Sequence, residues 1–175
     1  MKKLLVVVDY QNDFVCGSLG FSGAQEIETS ICEKIEQYHN EGSDVLFTFD
    51  THFENYPSTR EGQKLPVAHC IDQSYGWQLY GNVSNLRLKS DYTISKHCFG
   101  SIDLANFLLK NKYDRIEFVG VVTDICVISN AVIAKAALPE AEIIIDASCV
   151  ASNNEETEKK ALDVMAGLQM TIINA

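Results

Sequence analysis

Residues 116–137 read IEFVGVVTDICVISNAVIAKAA, and this stretch decides the fold. Ile116–Val121 is an apolar run broken only by Glu117, of strand length. Val122 and Thr123 then lead into a helix over Asp124–Ala137 that is apolar nearly all round, the pattern of a buried helix. A strand that is apolar throughout, rather than alternating, is buried on both faces of a parallel sheet. Outward from it, Leu4–Val8 is a second such run and Val45–Phe49 a third. Residues 25–41 place Ile27, Ile31, Ile35 and Tyr38 on one helical stripe. Shorter strands are expected at Tyr92–Ser95, Ile143–Ile145 and Met170–Ile173, with helices over Ile102–Lys110 and Glu155–Leu168. The alternation predicts a three-layer α/β/α arrangement around a mainly parallel, Rossmann-like sheet of five or six strands, forming one domain over residues 1–175. Residues 51–91 are too long for an ordinary connection, and such loops are usually functional or disordered.

Size and charge narrow the function classes. A chain of 175 residues, 46 % hydrophobic, buries enough surface to need no covalent staple. Its net charge of −10 argues against nucleic acid or an anionic membrane as the main partner. The longest apolar stretch, Leu4–Val8, is far short of a membrane span, and Asp9 interrupts it before a signal-peptide core forms. A cytoplasmic location is therefore expected. The six cysteines (16, 32, 70, 98, 126 and 149) contain no close CxxC pair and read as small buried hydrophobes, with one exception.

That exception comes from the rule that open α/β sheets bind ligands beyond the carboxyl ends of their strands. The first strand ends in Asp9. The second ends in Asp50 with His52 two residues on. The short strand ends at Ser95 and Lys96, and the 116–121 strand leads to Cys126. With Thr123 as N-cap, Cys126 occupies the third helical position, where free amides and the helix dipole favour a thiolate. Asp124 in the same turn opposes this. A thiol nucleophile needs a base and a cation beside it, roles that Asp9 and Lys96 fit. Asp50 and His52, two apart in extended chain, point the same way and can share an ion. His69 offers a third ligand and Glu61 a fourth, a donor set suited to a divalent metal such as Zn, Fe or Mn.

In this order, VVDYQNDF (7–14), Asp-x-His at 50–52, PVAHC (66–70) followed by SYGWQL (74–79), SKHCFGS (95–101) and GVVTDICV (120–127) resemble the isochorismatase-like cysteine hydrolases, and among them the nicotinamidase and pyrazinamidase group. The resemblance runs from Leu4 to about Ala151. It implies a catalytic triad of Asp9, Lys96 and Cys126 and a cis peptide at Val121–Val122. It also implies an oxyanion hole from the Val122 and Cys126 amides and a metal, usually zinc, on Asp50, His52, His69 and Glu61. Phe14 and Val121 are the implied substrate contacts. The chain departs from many nicotinamidases at Leu65, where they carry a pocket tryptophan, and at Gln73, where a glycine is frequent. Trp77 and Tyr75 are candidates for the pocket wall or for ordinary packing.

The expected activity is hydrolysis of a small carboxamide through a thioester, foremost nicotinamide to nicotinate and ammonia, in a homo-oligomer, dimer or tetramer. A ureido or carbamoyl amide, or isochorismate, is the alternative within the family. Two other classes stand beside it: a non-catalytic binding module, for which GSLGFSG (17–23) is no proper phosphate loop, and a metal-storage or redox protein built on the six cysteines.

Overall fold

The computed structural model describes residues 1–175. Six strands form one sheet in the order β3-β2-β1-β4-β5-β6, every pair parallel. They are β1 (Lys3–Val8), β2 (Asp44–Asp50), β3 (Tyr92–Lys96), β4 (Arg115–Val121), β5 (Glu142–Ala151) and β6 (Thr171–Ile173). The helices are α1 (Asn12–Val15), α2 (Ser22–Glu26), α3 (Glu28–Asn40), α4 (Arg60–Lys64), α5 (Gly81–Leu86), α6 (Ile102–Asn111), α7 (Ile128–Ala137) and α8 (Glu155–Gly167). No helix is long and apolar enough to cross a membrane.

The expected three layers are present, because the central strands are apolar on both faces. Leu4, Val6 and Val8 of β1 join Ile116 and Phe118 of β4 in a core with α6, α7 and Met165 of α8. Leu5 and Val7 join Phe47, Val119 and Val121 in a second core under Ile31, Ile35 and Tyr38 of α3. Strand order reverses direction between β1 and β4, so the crevice for a ligand opens beyond their carboxyl ends. There Gly120 has a φ of +110°, and a Cβ on it would overlap the Val8 carbonyl. Only glycine lets the two backbones approach that closely.

Several expectations change. The helix foreseen over 25–41 is two, α2 and α3, which meet at Ile27. The strand foreseen at 143–145 runs to Ala151, interrupted by a bulge where Phe118 pairs with Ile145 but Gly120 with Val150. Residues 51–91 contain α4, α5 and a 3-10 turn at Tyr56–Ser58. The helix foreseen from Asp124 opens instead with a π turn, Thr123–Val127, before α7.

Candidate active site

Parallel register brings the strand ends together. Asp50 pairs with Lys96 across β2 and β3, and Val8, just before Asp9, pairs with Thr48. Asp9 then takes a φ of +46°, a left-handed conformation that aspartate tolerates better than most residues. The Thr48 hydroxyl donates to Asp9 Oδ1 at 2.7 Å. On the other side of the crevice the Val121–Val122 peptide is cis, and the π turn comes next. Val122, rather than Thr123, is the N-cap of that turn, and Thr123 is fully buried.

Asp9, Lys96 and Cys126 meet as the strand-end argument requires. Lys96 Nζ lies 2.6 Å from Asp9 Oδ2, 3.2 Å from Asp50 Oδ1 and 3.5 Å from Cys126 Sγ. Lys96 donates to the Cys98 carbonyl as well, at 3.2 Å. All three side chains are buried. Burial disfavours the charge on Lys96, but Asp9, Cys126 and Asp50 together hold its ammonium well above the ordinary lysine value. Burial raises Asp9, with Lys96 opposing and Asp50 adding, which makes it a stronger base than a free carboxylate. Burial, with Asp9 and Asp50, pushes the Cys126 thiol well up, against the pull of Lys96. Two carboxylates and low polarity outweigh one ammonium and the helix start. On this balance the sulfur calls for a proton acceptor, and Asp9 is the carboxylate that shares Lys96 with it.

Asp50, His52, Glu61 and His69 gather one donor atom each within 4.8 Å of one another. His52 Nε2 is 3.0 Å and His69 Nε2 is 3.4 Å from Asp50 Oδ2, and both nitrogens are 3.6 Å from Glu61 Oε1. Donors bound at about 2.1 Å around one ion stand roughly 3.0–3.4 Å apart, so these separations fit a divalent metal. His69 Nδ1 donates to the Val67 carbonyl at 2.8 Å, which leaves the Nε2 lone pair for the cluster. Burial opposes the charge on His69, yet Asp50 and that carbonyl raise it above the usual histidine value. Asp50 is buried, but His52, His69 and Lys96 hold it far below the usual carboxylate range. Thr59 caps α4 through the Gly62 amide at 3.0 Å and so fixes Glu61 in its first turn.

The Gln-Asn-Asp of residues 11–13 is the clasp of this loop. Gln11 bonds both backbone groups of Asp50, at 2.8 and 3.0 Å, and the Trp77 carbonyl at 2.7 Å. Asn12 donates to the Tyr75 carbonyl, and Asp13 accepts from the Cys70 amide beside His69.

A cleft of about 220 Å³ opens onto Cys126. A void of roughly 150 Å³ already accepts a benzene-sized ring, so the space suits a one-ring substrate. Phe14 lines it, as foreseen, and stacks obliquely on His69 with ring centres 5.5 Å apart. Val122, Leu65, Asp50, Glu61 and His69 line it too. Val121, the other expected substrate contact, has its side chain fully buried in the α3-side core, and its neighbour Val122 faces the cleft. Tyr75 is 72 % exposed outside the cleft, and Trp77 stacks on Phe49 elsewhere. Leu19, Phe21, Phe99, Ile125, Asn153, Asn154 and Thr157 were missed. Asn153 and Asn154 lie just past the carboxyl end of β5, so the strand-end rule, extended to that strand, points to both.

The family model for the isochorismatase domain matches residues 3–175. The chain is 30 % identical to the isochorismatase family protein PncA of Bacillus subtilis (strain 168) over 184 residues, covering 95 % of each. It superposes on the crystal structure of the Bacillus subtilis nicotinamidase/pyrazinamidase PncA with a TM-score of 0.89 at 28 % identity, over 98 % of this chain and 99 % of that one. The pyrazinamidase of Pyrococcus horikoshii, solved in complex with zinc, gives 0.87 at 26 % identity over 100 % of both chains. The chain belongs to the isochorismatase family. It is a hydrolase of that family, and its parallel six-stranded sheet is the family's fold.

Proposed function

We propose that the chain is a cysteine amidohydrolase that converts nicotinamide to nicotinate and ammonia. The observation that carries this is the meeting of Asp9 and Lys96 with Cys126, which lines a ring-sized cleft whose wall also holds Asp50, Glu61 and His69. Asp9 takes the Cys126 proton, and the thiolate attacks the amide carbonyl. The Val122 and Cys126 amides hold the oxyanion. Asp9 returns the proton to the leaving nitrogen, so ammonia departs and a thioester remains. A water, deprotonated by Asp9, then cleaves the thioester and releases the acid and the thiol. Lys96 stays charged throughout and offsets the anionic sulfur. Asp50, His52, His69 and Glu61 would hold a divalent metal, zinc foremost, which supplies a Lewis-acid anchor for a ring nitrogen.

The cleft wall carries three carboxylates, Asp50, Glu61 and Asp124, and no lysine or arginine. This favours an uncharged amide over a carboxylate-bearing ureido substrate or isochorismate. The reading further takes the chain as one cytoplasmic domain over residues 1–175, working as a dimer or tetramer, which gel filtration checks. The main test is ammonia release from nicotinamide before and after chelation. Activity should fall by more than the roughly 10- to 100-fold that disturbing a ligand's outer partners costs, and added zinc should restore it. No ammonia from the untreated enzyme ends the nicotinamidase reading, and full activity after complete metal removal ends the metal assignment.

A further inference from the structure

Asn130 lies one helical turn beyond Cys126 and is fully buried. Its Nδ2 donates to the Cys126 carbonyl at 2.8 Å and to the Phe99 carbonyl at 3.0 Å, while Oδ1 accepts from the Ser101 amide at 3.1 Å. Two carbonyls on one side and one N–H on the other fix which way the amide points. Every bond goes to backbone, and the backbone belongs to two segments only. One is the residue that carries the sulfur. The other is the loop leaving β3, in which the Cys98 carbonyl accepts from Lys96 Nζ and Phe99 lines the cleft.

These bonds close a ring: Lys96 to the Cys98 carbonyl, along the chain to Phe99 and Ser101, through Asn130 to the Cys126 backbone, and across 3.5 Å from Sγ back to Nζ. The sulfur and the ammonium are thus held at their separation from behind by a side chain that touches neither. We propose that Asn130 is the positioning residue that sets the Lys96–Cys126 distance for the amide hydrolysis proposed above. The role rests on that reading for its kinetics but not for its geometry. A buried carboxamide is suited to it because no other side chain of this size gives two donors and an acceptor from one rigid plane. Aspartate has the same shape but sets an oxygen against two carbonyl oxygens.

The test compares Asn130→Asp and Asn130→Ser with the unaltered enzyme, using kcat and KM for nicotinamide, thermal unfolding, and the rate of Cys126 alkylation by iodoacetamide at one pH. Cys126→Ala serves as the blank for exposed Cys16 and Cys98. Misplacing a reacting group by about 1 Å costs up to about 100-fold, so kcat should fall about 10- to 100-fold, more for Asp than for Ser. KM should stay within about twofold, and alkylation should slow by a similar factor to kcat. A folded variant with unchanged kcat and alkylation, or with its loss confined to KM, overturns the proposal. If Asn130→Asp does not fold, Asn130→Ser decides. If the unaltered enzyme releases no ammonia, the amidase reading fails, and the alkylation rates alone decide whether Asn130 places the sulfur.

Discussion

Two lysines in this molecule each bridge two buried carboxylates. Lys96 spans Asp9 and Asp50, at 2.6 and 3.2 Å, and Lys34 of α3 spans Glu117 and Asp146, at 2.8 and 2.9 Å. Around Lys34 the remaining polar atoms are closed off by their own kind: Tyr38 donates to Glu117, and Ser148 and Asn174 donate to Asp146. The Cys149 thiol also stands near that cluster, but it is buried and does not line the cleft, and the cluster ties α3 to β4 and β5. Around Lys96 the network is left open toward a thiol, two imidazoles and a cleft. Two buried acids bridged by a lysine are thus a fastener in one place and, on the function proposed above, a reaction centre in the other. Its neighbours decide which.

Substitutions at the two centres should separate accordingly. The largest effect is expected for Cys126→Ala, with turnover reduced by at least about 10⁴-fold and the circular dichroism spectrum unchanged. Retained turnover there would remove the chemistry from the Lys96 centre altogether. Lys96→Met should lower kcat by about 10²- to 10³-fold, the scale of one lost preorganised charge contact. Lys34→Met should do the reverse: kcat within about twofold, but stability lower by about 2–4 kcal/mol in urea unfolding, since two buried carboxylates lose their cation. A large activity loss in folded Lys34→Met would erase the distinction. The smallest effect is a pH dependence. Burial would raise Asp146, but Ser148, Asn174 and Lys34 more than reverse it and hold the carboxyl below its ordinary value of 3.8. A depressed group contributes stability fully above its unfolded value and loses it as pH falls through its folded value. Between about pH 5 and about pH 2.5 the urea midpoint should therefore decline less in Asp146→Asn than in the unaltered protein.

The parts of the fold legible in the sequence are those where one physical cause acts alone. β1, β2 and β4 are buried on both faces, so their residues are apolar without interruption and their ends can be read. β5 escapes because Asp146 and Ser148 break its apolar run at the bulge. The turns of the 51–91 segment are three to six residues long, too short for helical periodicity to register. Strand ends also reveal Asp9, Asp50, His52, Lys96 and Cys126, because chemistry at a parallel sheet concentrates there. Leu19, Phe21 and Ile125 carry no such mark, since an apolar residue on a turn reads the same whether it faces a ligand or a core. The upward push on the Cys126 thiol is hidden for another reason. Helix position is visible along the chain, but burial and the charges of Asp9 and Asp50 arrive from segments far away in it.

Gly120 has a wider consequence. The strands that lead into Asp9 and Val122 come from opposite halves of the doubly wound sheet, and at residue 120 they are seated backbone to backbone. A methyl group there would act as a wedge between the halves. It would splay the proton acceptor away from the sulfur while leaving every side chain of the site in its place in the sequence. The alignment of this centre is guarded by an atom that is missing.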